Sequence, residues 1–398
     1  MQLGLRVRLS AMMFLQYMML PVWFNTAVPY LRTLPGGEAW IVWCGMLLGF
    51  GTLSSPVVCM IADRFMNAER VLALINFLYA VFMGIAFFID HPKILFFVLL
   101  LAAILNMPGW SLSSTIVMAS SSSSELASVR VFGSVGWFLS FIFSMIGVGV
   151  FGIADFETSP WIFACASMLG FAGALVALIQ TKTPPSAENT PMSLAEVFGL
   201  KALKLFRNLP FALFVILIVC SMVPFQWYMA FNTMYLQDSG FKYLNFTQNL
   251  GVLAEIGFVL IVPLLVRKVG YRWAMTVAFS ALAFRYGAFL LSVVTSNHIF
   301  DYLGILVHGL IFGVIVVGAQ MYVDDNAPVE LRNQAQGMIM TLMTSVGTFI
   351  SVPLFTSVIN TPCGEHDWKS AYIIALVMSI VLSILMGAFA LFARHKKI

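Results

Sequence analysis

Of the 17 Asp and Glu residues in the chain, only Glu255 falls near the middle of an apolar run, Leu250-Gly251-Val252-Leu253-Ala254-Glu255-Ile256-Gly257-Phe258. The other acidic residues fall in loops or at the ends of such runs. A charge at the bilayer centre costs at least about 2.5–3.5 kcal/mol on insertion scales, so something must offset it. Desolvation disfavours the charged form of a carboxyl. Such a group can carry protons near neutral pH or bind a polar solute in a water-filled cavity. The other reading is a structural ion pair with a buried arginine. Arg285, in Ala283-Phe284-Arg285-Tyr286, and Arg130, in Val129-Arg130-Val131-Phe132-Gly133, are the candidate partners. Arg285 serves equally as a tie within the second half of the chain, and Arg130 as a snorkelling interfacial residue. His308 titrates near neutral pH when unperturbed, and also suits a hydrogen-bonded packing role.

Other chemistries lack their residues. Glu255 has no second carboxylate in a helix interior, as an intramembrane protease would need, and an enzyme is not expected. There is no GxxxxGK[ST] phosphate loop for ATP-driven pumping. No CxxC or HExxH pattern suggests a metal site, and no cofactor is expected. Cys44, Cys59, Cys165 and Cys220 lie in apolar runs, and Cys363 stands alone in a loop, so no disulfide framework is visible.

The elements that hold these residues follow from composition. The 398 residues are 61% hydrophobic and 10% charged, with mean hydropathy +0.95. Soluble domains carry roughly 25% charged residues; a water-soluble fold of this size would have little polar surface. A spanning helix needs about 20 mostly apolar residues. The runs are 7–29, 38–62, 69–88, 93–117, 128–151, 160–180, 208–235, 245–266, 271–294, 298–323, 332–358 and 368–394. Each is too long for a barrel strand, so an all-α membrane protein of about twelve helices is expected. Prolines at 21, 56, 108, 224, 263 and 353 are expected inside the helices.

With both termini inside, 16 of the 21 Lys and Arg fall on the inner side and 4 on the outer, as the positive-inside rule asks. The net charge of +4 then reports orientation; its scatter over short loops does not suit nucleic acid. The longest polar connection, 181–207, divides an amino-terminal six-helix bundle (1–180) from a carboxy-terminal one (208–398). It reads as a cytoplasmic linker whose second half, 194–206, could lie as a surface helix.

Several pieces occur in order along the chain. They are Phe14-Leu15-Gln16-Tyr17 with Trp23 and Thr26; Ile61-Ala62-Asp63-Arg64-Phe65; Asn106-Met107-Pro108; Arg130 with Gly133 and Gly136; Phe198-Gly199-Leu200 with Leu205-Phe206; Asn232-Thr233; Glu255; Arg285; Arg332 with Ala335-Gln336-Gly337-Met338; and Asp367-Trp368. With these pieces the chain resembles the nucleoside:proton symporter family of the major facilitator superfamily over its whole length. The resemblance implies two pseudo-symmetric six-helix halves and a mid-membrane substrate site, with helices five and eight facing each other so that Arg130 and Glu255 share one cavity. Asp63, Arg64 and Arg285 would be structural. The family's helix-five arginine, hydroxyl and aromatic fall on Arg130, Ser134 and Trp137, and its helix-eight glutamate on Glu255. Elsewhere the pattern departs. The helix-seven glutamine and asparagine are Phe225 and Tyr228, with Gln226 usable only after a one-residue slip. The glutamine before Glu255 is Val252. On helix ten the tyrosine is His308, Phe312 is kept, and the acidic residue is Gly313.

The expectation is therefore a proton-coupled importer of nucleosides or related hydroxylated solutes such as amino sugars. It would be a monomer in the inner membrane, with both termini cytoplasmic and no nucleic-acid partner. Glu255 and Arg130 would couple protons. Arg130, Ser134, Trp137, Phe225, Gln226, Tyr228, Glu255, His308 and Phe312 would bind substrate. A proton-antiport exporter on the same fold is the rival, followed by a sensor that moves no solute.

Overall fold

A computed structural model describes residues 2–120, 123–185, 200–328, 331–360 and 366–392. It is nearly all helical. The twelve apolar runs of sequence appear as α1 (Leu3–Leu31), α2 (Gly37–Gly45 with Leu47–Arg64), α3 (Ala68–Ala86), α4 (Pro92–Ser120), α5 (Ser123–Leu139 with Ile142–Gly149), α6 (Trp161–Leu178), α7 (Leu209–Asp238), α8 (Leu244–Val269), α9 (Tyr271–Thr295), α10 (Ile299–Asn326), α11 (Gln334–Ile359) and α12 (Trp368–Phe392). Among the described residues ten of these are long and apolar enough to cross a bilayer, and α2, bent by 41°, makes an eleventh. α8 is the remaining one, and carries Glu255, Arg267 and Lys268. Helices satisfy their own backbone, which is what a lipid environment demands.

Local sequence sets the breaks. Pro21 does not sit in a helix interior as expected. It opens the second segment of α1 after a turn at Met19–Leu20, where its missing N–H costs nothing. Pro56, Pro108, Pro224 and Pro353 lie within α2, α4, α7 and α11. π-helical turns interrupt α10 at Gly313–Val317 and α11 at Leu342–Val346, and such turns are frequent at functional sites.

The chain divides into two compact units: residues 1–193 with 230–249, and residues 194–229 with 250–398. By its contacts, the end of α7 and the start of α8 belong to the first unit. In that unit α1 packs on α5, α3 on α6 and α4, and α2 on α4. Gly133 and Gly136 let α5 approach α1: a Cβ on Gly136 would lie 2.9 Å from the Phe14 carbonyl carbon. In the second unit α9 packs on α12 and α10. There Trp227, wholly enclosed, stacks on Phe355 with ring centres 4.5 Å apart.

Within 181–207, residues 186–199 lie outside the described residues, as do Cys363 and the charged tail after Phe392. Leu200–Arg207 forms a 3-10 helix packed on the start of α11. Its Ala202 is buried, and its Lys201, Lys204 and Arg207 are exposed.

Candidate functional site

In the second unit, α7, α8, α9 and α10 bring together most of the residues singled out by type. Glycines let α8 and α10 touch. A Cβ on Gly309 would lie 2.6 Å from the Glu255 Cα, and one on Gly251 would lie 2.8 Å from the His308 Cβ. The buried Glu255 is thereby held against the turn of α10 that carries His308.

His308 stacks against two rings of α7. Its ring centre lies 5.6 Å from Phe225 and 5.5 Å from Tyr228, at 22° and 30°. Phe312, one turn on, stacks on His308 at 5.9 Å and contacts Phe225 at 6.3 Å. Tyr228 stacks on Phe289. Beneath it lies Arg285, with no exposure at all. Its guanidinium carbon sits 3.9 Å from the centre of the Tyr228 ring, and its Nε donates to the Gly304 carbonyl at 3.1 Å. A cation on a ring face gains about 2 kcal/mol or more when desolvated. The neighbouring Tyr286 hydroxyl donates to the Pro224 carbonyl.

This cluster is incompletely satisfied. Arg285 Nη1 and Nη2, the Tyr228 hydroxyl and His308 Nδ1 are buried without a hydrogen-bond partner among the described residues. Each unsatisfied buried group costs about 1–3 kcal/mol, more when charged. Gln226, on the same helix, donates to the Met343 carbonyl at 3.4 Å, which lies in the π turn of α11. Native chains keep few such orphans, and a solute able to accept and donate hydrogen bonds would answer them.

The first unit holds a second constellation. Tyr17 of α1 stacks on Trp110 of α4 at 5.1 Å, and Trp110 meets Trp137 of α5 edge to face at 5.7 Å. Trp137 and Ser134 are half-buried, and Arg130 is exposed. Gln16 accepts from Asn76 at 3.0 Å. Asn25 donates to Asn245 at 2.7 Å and to Asn249 at 3.1 Å. Asn249 in turn donates to Ser140 and to the carbonyls of Trp137 and Phe138.

The profile of the family described as Nucleoside H+ symporter matches residues 3–397. The chain belongs to that family. It is a multi-pass membrane transporter and not an enzyme. Among curated relatives, YegT of Escherichia coli K12 is 28% identical over 96% of this chain and 93% of its own length. Xanthosine permease of the same organism is 26% identical over 96% and 95%, and its nucleoside permease NupG is 23% identical over 99% and 96%. Two crystal structures of the nucleoside transporter NupG superpose with TM-scores of 0.84 and 0.82 at 20% and 21% identity, covering 97% of this chain and 99% of that one. The fold is that of the major facilitator transporters. A peptide transporter shares it at a TM-score of 0.75 and 14% identity.

For a symporter of this family, the placements separate the expected site residues. Phe225, Tyr228 and Phe312 gather around His308 in the second unit, where Arg285 lies on the Tyr228 ring and Glu255 faces Gly309; Gln226 shares α7 with Phe225 and Tyr228. Arg130, Ser134 and Trp137 share α5 in the first unit. Arg285, expected to be structural, bonds the Gly304 carbonyl and lies on the Tyr228 ring, and its Nη1 and Nη2 have no hydrogen-bond partner among the described residues. Asp63 and Arg64 end α2, where a cation complements the helix dipole.

Burial of three other carboxylates was not legible from their loop or helix-end positions. Glu69 binds the Thr183 amide at 2.8 Å, Asp301 pairs with His298 at 2.9 Å, and Glu157 caps α8. Asn245 and Asn249, four apart on one helix face, were the available signal for the asparagine cluster.

Proposed function

We propose that the chain imports nucleosides together with protons across the inner membrane as a monomer, with both termini cytoplasmic. The observation that carries the reading is the α7–α10 cluster. It places a buried glutamate against a ring-lined group with four unsatisfied polar atoms, in a chain of the nucleoside symporter family. Glu255 takes up the proton. Phe225, His308, Tyr228 and Phe312 offer flat faces to a base. Arg285, Tyr228 and His308 offer polar atoms, and Gln226 offers an amide. Arg130, exposed on α5, holds substrate hydroxyls, with Ser134 and Trp137 on the same helix. Protonation and solute must favour the same state, since a ligand shifts an equilibrium only by its differential affinity. The two six-helix halves, 1–180 and 208–398 joined by 181–207, are the rocking bodies.

One observation favours a second reading, an importer of another hydroxylated solute such as an amino sugar. Rings at Phe225 and Tyr228 stand where the family has amides, and a site built to bond a polar group loses much when that bond is absent. Competition against labelled uridine uptake tests this. Unlabelled nucleosides are expected to compete, and amino sugars to leave uptake unchanged. The reverse pattern would replace the nucleoside with the sugar.

A further inference from the structure

The 3-10 helix Leu200–Arg207 reads Leu-Lys-Ala-Leu-Lys-Leu-Phe-Arg. In a 3-10 helix, residues three apart eclipse one another. Lys201, Lys204 and Arg207 therefore stack in one line, Leu200, Leu203 and Phe206 in a second, and Ala202 and Leu205 in a third. The exposures follow these lines. Ala202 is wholly buried and Leu205 half-buried, so the third line is the one that packs, and the start of α11 is its neighbour. All three cations of the first line are exposed. In the second line Phe206 meets Phe211 of α7 edge to face, while Leu200 and Leu203 stay 50% and 49% exposed. A basic stripe thus runs beside a bare apolar one.

We propose that Leu200–Arg207 is a binding surface for anionic lipid: Lys201, Lys204 and Arg207 meet negatively charged headgroups, and Leu200 and Leu203 lie against the upper acyl chains. The depth follows from the chain. One residue, Asn208, separates this helix from Leu209, where the membrane-spanning α7 begins, and Leu209 is itself 66% exposed. The helix is therefore held where hydrocarbon gives way to headgroups. On the orientation proposed above, that is the cytoplasmic leaflet. The helix, α7 up to Met229 and α11 all belong to the second unit, so the lipid would anchor the inner end of that unit.

Charge selects the occupant. Neither this helix nor the Arg332–Thr341 segment that it packs on contains an acidic residue, so the stripe is not neutralised by either element. A helix with Lys and Arg on one face and Leu beside it suits the plane of the membrane interface. Each Lys or Arg close to an anionic surface gains about fivefold in partitioning, and salt screens that gain. Neutral lipid would cover the leucines equally well but would leave the three cations without counter-charge. The surface therefore discriminates by headgroup charge. The inference goes beyond the transport reading and takes from it only the orientation.

Hydrogen exchange of the purified full chain tests this, in vesicles of phosphatidylcholine alone and of equal parts phosphatidylcholine and phosphatidylglycerol. Wild type is expected to exchange several-fold more slowly over Leu203–Arg207 in the anionic vesicles, and high salt to remove the difference. The double variant Lys204→Gln with Arg207→Gln is expected to exchange at the neutral-lipid rate in both vesicles. Lys204→Arg, which keeps the charge, is expected to behave as wild type. Both positions are exposed, so these variants are expected to fold with unchanged Tm in detergent. Equal wild-type exchange in the two vesicles would overturn the proposal and leave the stripe to a soluble acidic partner. A lipid-dependent difference that survives in the double variant would overturn it as well. No arm uses a solute, so a failed nucleoside assignment does not bear on the result.

Discussion

A side chain at Gly309 of α10 would run into Glu255 of α8, with a Cβ there only 2.6 Å from the Glu255 Cα. The pair fixes where the glutamate sits relative to His308. Because the obstacle is backbone, Gly309→Ala must separate α8 from α10. Overpacking of this kind costs about 1–3 kcal/mol. The expected result is a folded protein of lower thermal stability with strongly reduced uptake. Gly4→Ala, which meets nothing within 4 Å, is expected to change neither.

Tyr228→Phe separates stability from function. The Tyr228 hydroxyl is buried without a partner, while its ring carries Arg285 and stacks on His308. Removing an unsatisfied hydroxyl while keeping the ring is expected to leave Tm unchanged or slightly raised. A several-fold rise in KM for the solute at unchanged Tm is the expected signature of a hydroxyl that serves substrate. An unchanged KM would assign it no such role.

Arg285→Met removes a buried cation that holds Gly304 and the Tyr228 ring. Loss of its bond leaves the Gly304 carbonyl unpaired in an enclosed site, a cost of about 1–3 kcal/mol. Lower thermal stability and loss of uptake together are expected. Arg285→Lys restores charge without the planar fork and is expected to recover stability more than uptake.

At the start of α12, Asp367 accepts the Ser370 N–H at 2.9 Å, the geometry of a helix cap. The Ser370 hydrogen bonds hold its carboxyl below the ordinary range. A depressed pKa contributes stability that is present above the unfolded value and is lost as pH falls through the folded one. Asp367→Ala is expected to cost about 1 kcal/mol at neutral pH. Thermal melts should show the gap to wild type narrowing in acid.

Much of this was legible in the residues. The apolar runs of 20 residues and more all became helices, because a bilayer leaves the backbone no other partner. Glu255 stood out because a mid-run carboxylate is costly. His308, Phe225, Tyr228 and Phe312 come together as aromatic faces on α7 and α10. Three features stayed hidden. Glu157 and Glu69 look like ordinary loop or helix-end acids until tertiary contacts bury them. The closeness of Glu255 and His308 depends on Gly251 and Gly309, whose role is only to be small. The seating of the α8 amino end in the first unit depends on Asn25, which is remote in sequence from Asn245 and Asn249. Each is a product of long-range packing, to which hydropathy and spacing are blind.

The central claim is proton-driven nucleoside import through Glu255. It is tested most directly by uptake of labelled uridine and adenosine into proteoliposomes, with and without an inward proton gradient, for wild type and Glu255→Gln. Gradient-driven accumulation in wild type is predicted, with Glu255→Gln retaining at most exchange of solute down its own gradient. Accumulation indifferent to the proton gradient, or an equal gradient response in Glu255→Gln, would contradict it.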